Sequence, residues 1–195
     1  MKIFWEGVFK KNPVLVLAMG LVPAVAITTT ALNGLILGIS IALVLLVSSI
    51  INYVLLPLTP SSARLSLRVL VVIALVVALY GLILHARPGF VAGLGIFFPF
   101  MVADAFRLLN TEKKQTLGEI VLEALGQGLG FIWAMTFIGI VREFLGFGAI
   151  FGHEIVRTVL RPFSLASGVP GGLVVVGLLL ALANAITKQG GELHD

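Results

Sequence analysis

The sequence contains no cysteine among its 195 residues. Disulfides, thiolate-bound zinc and iron–sulfur clusters held by thiolates of this chain are therefore excluded. Charged residues are also scarce, at 11%, whereas 59% of the residues are hydrophobic and the mean hydropathy is +1.14. A soluble domain of this size could not bury so much apolar surface. The composition predicts an all-α polytopic membrane protein.

Catalytic signatures are missing as well. No nucleophile–base pair, carboxylate pair or histidine cluster is visible, because His85, His153 and His194 fall at the ends of hydrophobic runs or in polar connectors. The sequence pI of about 9.8 does not indicate nucleic-acid binding, because the cations are spread along the connectors instead of being clustered on one element. The only partner that the composition itself predicts is the lipid bilayer.

Hydrophobic runs predict six membrane spans, because about 20 residues of helix cross a bilayer. The predicted spans cover residues 14–32, 37–58, 69–86, 91–109, 119–141 and 172–187. Asn33-Gly34 is predicted to form the tight turn between the first two spans. An interfacial helix is predicted over residues 1–11, and a short surface helix over residues 153–163 in the connector before the last span.

The first and fourth spans are predicted to be interrupted helices, since proline removes a backbone donor and glycine lowers helix stability. The elements of these interruptions are Gly20, Pro23, Thr28, Thr29 and Asn33 in the first span and Gly95 and Pro99 in the fourth. In hydrocarbon the freed backbone groups need partners, which a threonine run or a neighbouring helix can supply. Paired interrupted spans are typical of inverted-repeat transporters. We therefore predict one integral membrane domain over residues 1–195 with an inverted 3+3 repeat, residues 1–86 followed by 87–195.

Six spans place both termini on one side of the membrane. Nine of the 13 lysines and arginines fall on that side, which predicts cytoplasmic termini.

Close packing between helices is indicated by small residues at helical spacing. They are Gly126, Gly128 and Gly130, and the pairs Gly34/Gly38 and Gly89/Gly93.

Two sets of charged residues lie in or beside predicted spans. Asp104 is costly inside a membrane, so it is expected either to line an ion path or to form a structural pair with Arg107 on the same helix face. Both interpretations stay open. Arg142-Glu143, placed at the end of the fifth predicted span, are interpreted as an anchor for that span and not as a chemical site.

Several segments resemble a known family. Residues 12–16 (NPVLV) and 20–23 (GLVP) resemble the first span of the E subunit of Rnf-type ion-translocating ferredoxin:NAD oxidoreductase complexes. They are similar also to the D subunit of Nqr, the sodium-translocating NADH:quinone oxidoreductase. Residues 95–99 (GIFFP), 142–148 (REFLGFG) and 177–182 (GLLLAL) resemble later segments of the same family in the same order.

The resemblance implies an inner-membrane complex in which this chain pairs with a homologous six-helix subunit of opposite topology, together with other membrane and peripheral redox subunits. It also implies one cysteine from each interrupted span as an iron–sulfur ligand. Val22 and Ala105 stand at those two positions, and neither side chain can ligate iron. We therefore expect no cofactor in this chain, with flavin and iron–sulfur clusters in partner subunits.

Three functions remain open at this point. The first is a non-catalytic scaffold and ion-path subunit of an Rnf- or Nqr-like ion-translocating oxidoreductase. The second is a stand-alone or homo-oligomeric ion or solute transporter on the same scaffold, using Asp104. The third is a purely structural subunit of another membrane complex.

Overall fold

A computed structural model describes residues 14, 20–86, 88, 116–155 and 164–187. The α-helices in these ranges are α1 (Leu21–Ile27), α2 (Ala31–Leu55), α3 (Arg64–Ala86), α4 (Leu117–Phe147) and α5 (Val169–Thr187). Short 3-10 turns cover Leu56–Leu58, Ser61–Ala63 and Ser164–Ser167. Two short strands, β1 (Ala149–Ile150) and β2 (His153–Glu154), form an antiparallel hairpin after α4.

Within the described ranges, three helical stretches are long and apolar enough to cross a membrane. They are Ala31–Leu58, Ser61–Ala86 and Leu117–Phe147, and the shorter apolar helix Val169–Ala185 accompanies them. Large apolar side chains point outward from these helices, among them Leu70 and Leu82 of α3 and Leu178 of α5. Because such surfaces are unfavourable in water, the described part of the chain is that of a helical, multi-pass membrane protein.

The bundle is organised around the contact between α2 and α4, which run antiparallel. A Cβ atom on Gly38 would lie 2.6 Å from the Cα of Ile132, and one on Gly128 would lie 2.8 Å from the Cβ of Ala42. Both distances are too short for real atoms, so only glycine permits this approach of the backbones. The predicted packing role of these glycines is confirmed, whereas Gly89 and Gly93 lie outside the described residues.

Gly20, directly before α1, has a φ of 72°, which lies in the left-handed region that glycine tolerates. The seven-residue helix α1 begins directly after it, with Pro23 in its first turn, where a missing backbone donor costs little. Residues 28–30 then connect α1 to α2.

The predicted tight turn at Asn33-Gly34 is wrong, because both residues lie in the first turn of α2. Thr30 caps this helix by accepting a hydrogen bond from the backbone N–H of Asn33 at 3.2 Å. Gly34 packs against the backbone carbonyl of Met135, which leaves no room for a side chain. The threonine cap and the packing against α4 therefore override the turn preference of the Asn-Gly dipeptide.

The end of the fifth predicted span also differs from the structure. The helix α4 runs to Phe147 instead of ending at residue 141, so Arg142 and Glu143 are interior helix residues. It begins after Thr116, which exchanges capping hydrogen bonds with Glu119, and it stops at Gly148, whose φ is 66°.

The surface helix predicted over residues 153–163 is wrong at its start. His153 and Glu154 form strand β2, because Phe151 and Gly152 both adopt positive φ and make a two-residue hairpin turn. Residues 156–163 lie outside the described part of the chain.

The fourth span, with Gly95, Pro99, Asp104, Ala105 and Arg107, lies outside the described residues, as does the interfacial helix over residues 1–11. The six-helix count and the inverted repeat therefore stay predictions.

Candidate functional site

Four helical segments end or begin at one corner of the bundle. They are the end of α1, the start of α2, the last two turns of α4 and the 3-10 turn Ser164–Ser167 that leads into α5. Helix termini carry backbone groups without intrahelical partners, and burial makes those groups costly unless they are hydrogen-bonded. We call this place the helix-end corner; its members are Ala24, Val25, Thr28, Ala31, Arg142, Glu143, Gly152, Ala166, Ser167 and Gly168.

Arg142 is fully buried and binds the end of α1. Its Nη1 donates to the backbone carbonyls of Val25 at 2.7 Å and Ala24 at 3.1 Å, and approaches the Thr28 hydroxyl oxygen at 3.3 Å. The carbonyl end of a helix carries a partial negative charge, so a guanidinium is well placed there. Thr28 itself donates to the carbonyl of Ala24.

The remaining nitrogens of Arg142 bind the turn before α5. The Nε donates to the carbonyl of Ala166 at 3.1 Å, while Nη2 donates to those of Ser167 at 3.2 Å and Gly168 at 3.1 Å. All three guanidinium nitrogens thus have carbonyl partners, and this satisfaction is what permits a charged side chain to be buried. One side chain of α4 joins α1 to the turn that leads into α5.

Glu143, the next residue of α4, binds the opposite kind of helix end. Its Oε2 accepts from the backbone N–H of Ala31, the first residue of α2, at 2.8 Å. A carboxylate at a helix N-terminus is favoured by the partial positive charge there. Its Oε1 accepts from the N–H of Gly152 in the hairpin turn at 2.7 Å, so Glu143 joins α2 to the hairpin.

The guanidinium fits only because α5 offers no side chain at the point of contact. A Cβ on Gly172 would lie 2.6 Å from Nη2 of Arg142 and 2.8 Å from its Cζ. Gly171 in turn packs against the carbonyl of Leu165. Gly172 therefore leaves the space that the guanidinium of Arg142 occupies.

The interpretation of Arg142 and Glu143 as an anchor at the end of a span was incomplete. Both are buried inside α4, where they bind backbone groups of four other segments. Their position inside a long apolar run was the available signal, since ionisable residues in membrane-spanning segments usually have specific partners.

The threonine run of the first span is also hydrogen-bonded. The Thr29 hydroxyl oxygen accepts from Nδ2 of Asn33 at 3.1 Å, one turn into α2. With Thr28 and Thr30, all three threonines between α1 and α2 contact backbone or side-chain groups nearby. The structure thus brings Thr28, Thr29 and Asn33 to the connection between α1 and α2, near the helix-end corner.

Val22 occupies the position of the first implied cysteine. It is 49% exposed, although Pro23, Ala24 and Val25, which follow it in α1, are buried. Its isopropyl group has no lone pair to offer a metal, and no group of three or more His, Cys, Asp or Glu side chains in the described ranges could hold a metal ion. The residues here do not fit the implied iron–sulfur cluster, and we assign no electron-transfer step to this chain.

Apolar helices long enough to cross a membrane, with charges buried at helix ends, are the features of a multi-pass helical membrane protein. Residues 1–180 match the family described as Rnf-Nqr subunit, membrane protein. The chain belongs to this family, and the predicted resemblance is confirmed.

Similar proteins match nearly the whole chain. The chain is 36% identical over 193 residues to the E subunit of the Na(+)-translocating ferredoxin:NAD(+) oxidoreductase complex of Acetobacterium woodii, a match that covers 97% of this chain and 98% of the relative. It is 34% identical over 204 residues to the E subunit of the ion-translocating oxidoreductase complex of Shewanella sp. strain ANA-3, covering 96% and 88% of the two chains. The corresponding Shewanella baltica protein, from strain OS185, is 33% identical with the same coverage.

Proposed function

We propose that this chain is the E-type membrane subunit of an Rnf-like ion-translocating electron-transport complex. The observation that carries the proposal is the match to an E subunit over 97% of this chain and 98% of the relative. Membership of the Rnf-Nqr family over residues 1–180 supports it independently. The chain acts as a scaffold and ion-path element and is not itself the catalytic subunit.

The proposed architecture is six helices in an inverted 3+3 repeat, placed in the cytoplasmic membrane with both termini in the cytoplasm. The antiparallel contact of α2 with α4 supports this arrangement, because these helices are the second of each predicted repeat. The helix-end corner holds the end of α1 in place through the hydrogen bonds of Arg142. Val22, near the start of the same helix, is exposed.

The proposed partners are a homologous six-helix subunit of opposite topology and further membrane and peripheral subunits that carry flavin and iron–sulfur groups. The absence of cysteine means that this chain contributes no thiolate to any cluster in that assembly. Electrons then pass through cofactors of the partner subunits. In this chain the first span serves as a structural element and not as part of an electron-transfer route.

The first test is gentle purification of the tagged full-length chain from its own membranes, with mass spectrometry of the proteins that accompany it. We expect flavin-bearing and iron–sulfur subunits together with a second six-helix homologue. An unrelated tagged multi-pass protein from the same membranes is the control. Recovery of a lone chain or a homo-oligomer would overturn the proposal and favour the transporter alternative.

Asp104 is proposed either to line the ion path or to pair with Arg107, and one variant separates the two roles. If Asp104 lines the path, Asp104→Asn leaves the complex assembled and electron transfer running, but abolishes ion uptake into membrane vesicles. If Asp104 forms a structural pair, the same substitution lowers the amount of assembled complex, with ion uptake falling in proportion.

A further inference from the structure

Most buried polar side chains of α2 and of the helix-end corner are hydrogen-bonded. Ser40 donates to the carbonyl of Ile36 at 2.8 Å and Ser48 to that of Leu45 at 3.1 Å. Thr28 and the charged residues of the helix-end corner are satisfied as described above. Asn52 differs, since both its Oδ1 and its Nδ2 are buried and have no hydrogen-bond partner within the described structure.

Asn52 lies on the buried face of α2, three residues before the end of the helix. Only 5% of its surface is exposed. Measured along the helix it is about 30 Å from Ala31, so it lies at the opposite end of α2 from the helix-end corner. Buried polar groups in proteins are normally hydrogen-bonded, so an amide with both of its polar atoms buried and unpartnered among the described residues requires a physical explanation.

Ser48 shares this face one helical turn earlier and is fully buried. Its hydroxyl uses its hydrogen in the bond to Leu45, and the oxygen retains lone pairs that can accept a further bond. The Oδ1 and Nδ2 of Asn52 together with the Ser48 oxygen provide two acceptors and one donor. Three polar groups are the number that a buried water molecule typically binds.

The side-chain amide of Asn52 carries both a hydrogen-bond donor and an acceptor, and this determines which kind of ligand can satisfy it. A bare cation can satisfy only the Oδ1 of Asn52, and an anion only its Nδ2, whereas water both donates and accepts. Arg64 and Arg68, in the first two turns of α3 at the same end of the α2–α3 pair, further disfavour a cation. The low exposure of Asn52 leaves no access for a larger ligand such as a lipid headgroup.

We propose that Asn52 and Ser48 form a binding site for water within the end of α2. The site lies in a helix long enough to cross the membrane. The proposal goes beyond the proposed function, because it concerns the hydration of this chain and not its assembly with other subunits. α2 then has two polar ends of different kinds, one held by the charges of α4 and one hydrated.

The test is water-edited solid-state NMR on the full-length chain, purified with its native partners, labelled with 15N-asparagine and reconstituted in lipid bilayers. We expect the side-chain amide of Asn52 to receive magnetisation from water several-fold faster than the backbone amide of the same residue, which is enclosed within α2. Asn52→Leu identifies the signal by removing it. Ser48→Ala should slow the transfer, because the bound water loses an acceptor.

Ser40→Ala is the matched control, since that hydroxyl lies on the same helix and is bonded to its own backbone. It should leave the transfer to Asn52 unchanged. Transfer to the Asn52 side chain that is no faster than to its backbone amide in the wild-type protein would show a dry site and overturn the proposal. The deciding comparison, between the side-chain and backbone amides of Asn52, is made within the wild-type protein, and it is independent of which subunits accompany the chain.

Discussion

At the scale of single residues, Arg142 and Glu143 show how adjacent opposite charges can be buried without pairing with each other. The side chain of Arg142 binds the carbonyl end of α1, and that of Glu143 binds the amide end of α2. Each charge meets the helix terminus of opposite partial charge. The guanidinium is suited to this role because its planar fork reaches several carbonyls at once.

Replacing Arg142 by alanine should lower the free energy of unfolding by about 3–5 kcal/mol, because five backbone carbonyls lose their donor inside the protein. Arg142→Lys should fall between this variant and the wild type, since an ammonium cannot reach both groups of carbonyls. Unfolding by SDS titration in mixed micelles measures the stability of both variants.

Arg64→Ala is the control. Arg64 is exposed and donates to the carbonyl of Thr59 alone among the described residues. A loss of free energy of unfolding below about 1 kcal/mol is therefore expected. Equal losses for the two alanine variants would contradict the role assigned to Arg142.

Two glycines of α5 provide a matched test of the space around Arg142. Gly172→Ala should destabilise the protein by about 1–3 kcal/mol, because the new Cβ would overlap a guanidinium that its hydrogen bonds hold in place. A Cβ on Gly177 meets no atom within 4 Å, so Gly177→Ala should be neutral or stabilise by up to about 1 kcal/mol through helix propensity. Thermal unfolding of the two purified variants distinguishes these effects. A Gly172→Ala protein as stable as the wild type would mean that Arg142 is free to move.

At the scale of elements, the hairpin after α4 is held by Glu143 in a conformation that its own sequence disfavours. Its two turn residues are Phe151, with φ of 50°, and Gly152, with φ of 79°. Two-residue hairpin turns of this kind favour Asn-Gly, because a bulky side chain is strained at positive φ. The bond from the N–H of Gly152 to the carboxylate helps to hold the turn in place.

Phe151→Asn should therefore raise the free energy of unfolding by about 1 kcal/mol, because asparagine tolerates positive φ. Phe147→Asn is the control: Phe147 is similarly exposed but lies within α4, where asparagine is a poorer helix former, so no gain is expected. SDS titration of both variants measures the difference. Destabilisation by Phe151→Asn would show that the phenyl ring contributes more than its backbone strain costs.

The long helices could be predicted from the sequence, whereas several of their ends could not. Hydrophobic runs identified α2, α3, α4 and α5 because a helix that crosses lipid needs a stretch of about 20 predominantly apolar residues. Gly20 and Pro23 predict an interruption of the first span; Gly20 lies directly before α1, whereas Pro23 lies within the first turn of that helix. The end of α4 was misplaced because a local pattern cannot show that the charges at residues 142 and 143 have buried partners more than 100 residues away.

At the scale of the whole molecule, much of the apolar surface of the described chain faces outward. Helix α3 is largely exposed, and α5 presents Leu173, Val174, Leu178 and Leu182. Lipid and neighbouring subunits must cover these faces in the membrane. Val22 adds an outward-facing apolar residue at the position where the family resemblance implies a cysteine.

Restoring cysteine at both implied positions tests whether the partner of this chain still supplies its own ligands. Under the proposed function, Val22→Cys combined with Ala105→Cys should introduce iron and acid-labile sulfide into the purified complex, because four thiolates are then available. Val22→Cys alone should not produce a complete four-thiolate site. Iron analysis and visible absorption of the two purified complexes measure this. An intact complex without added iron in the double variant would mean that the partner has lost its ligands as well.

The sequence by itself determined the membrane class, the family and the absence of thiolate ligands. These properties follow from composition, short motifs and residue chemistry, which need no knowledge of spatial neighbours. Only the tertiary structure decided that Arg142, Glu143 and Gly172 form one arrangement, and that Asn52 is buried without a partner among the described residues. The physical reason is that hydrogen-bond satisfaction depends on groups distant in the chain, and in a membrane protein those groups decide where charge can be buried.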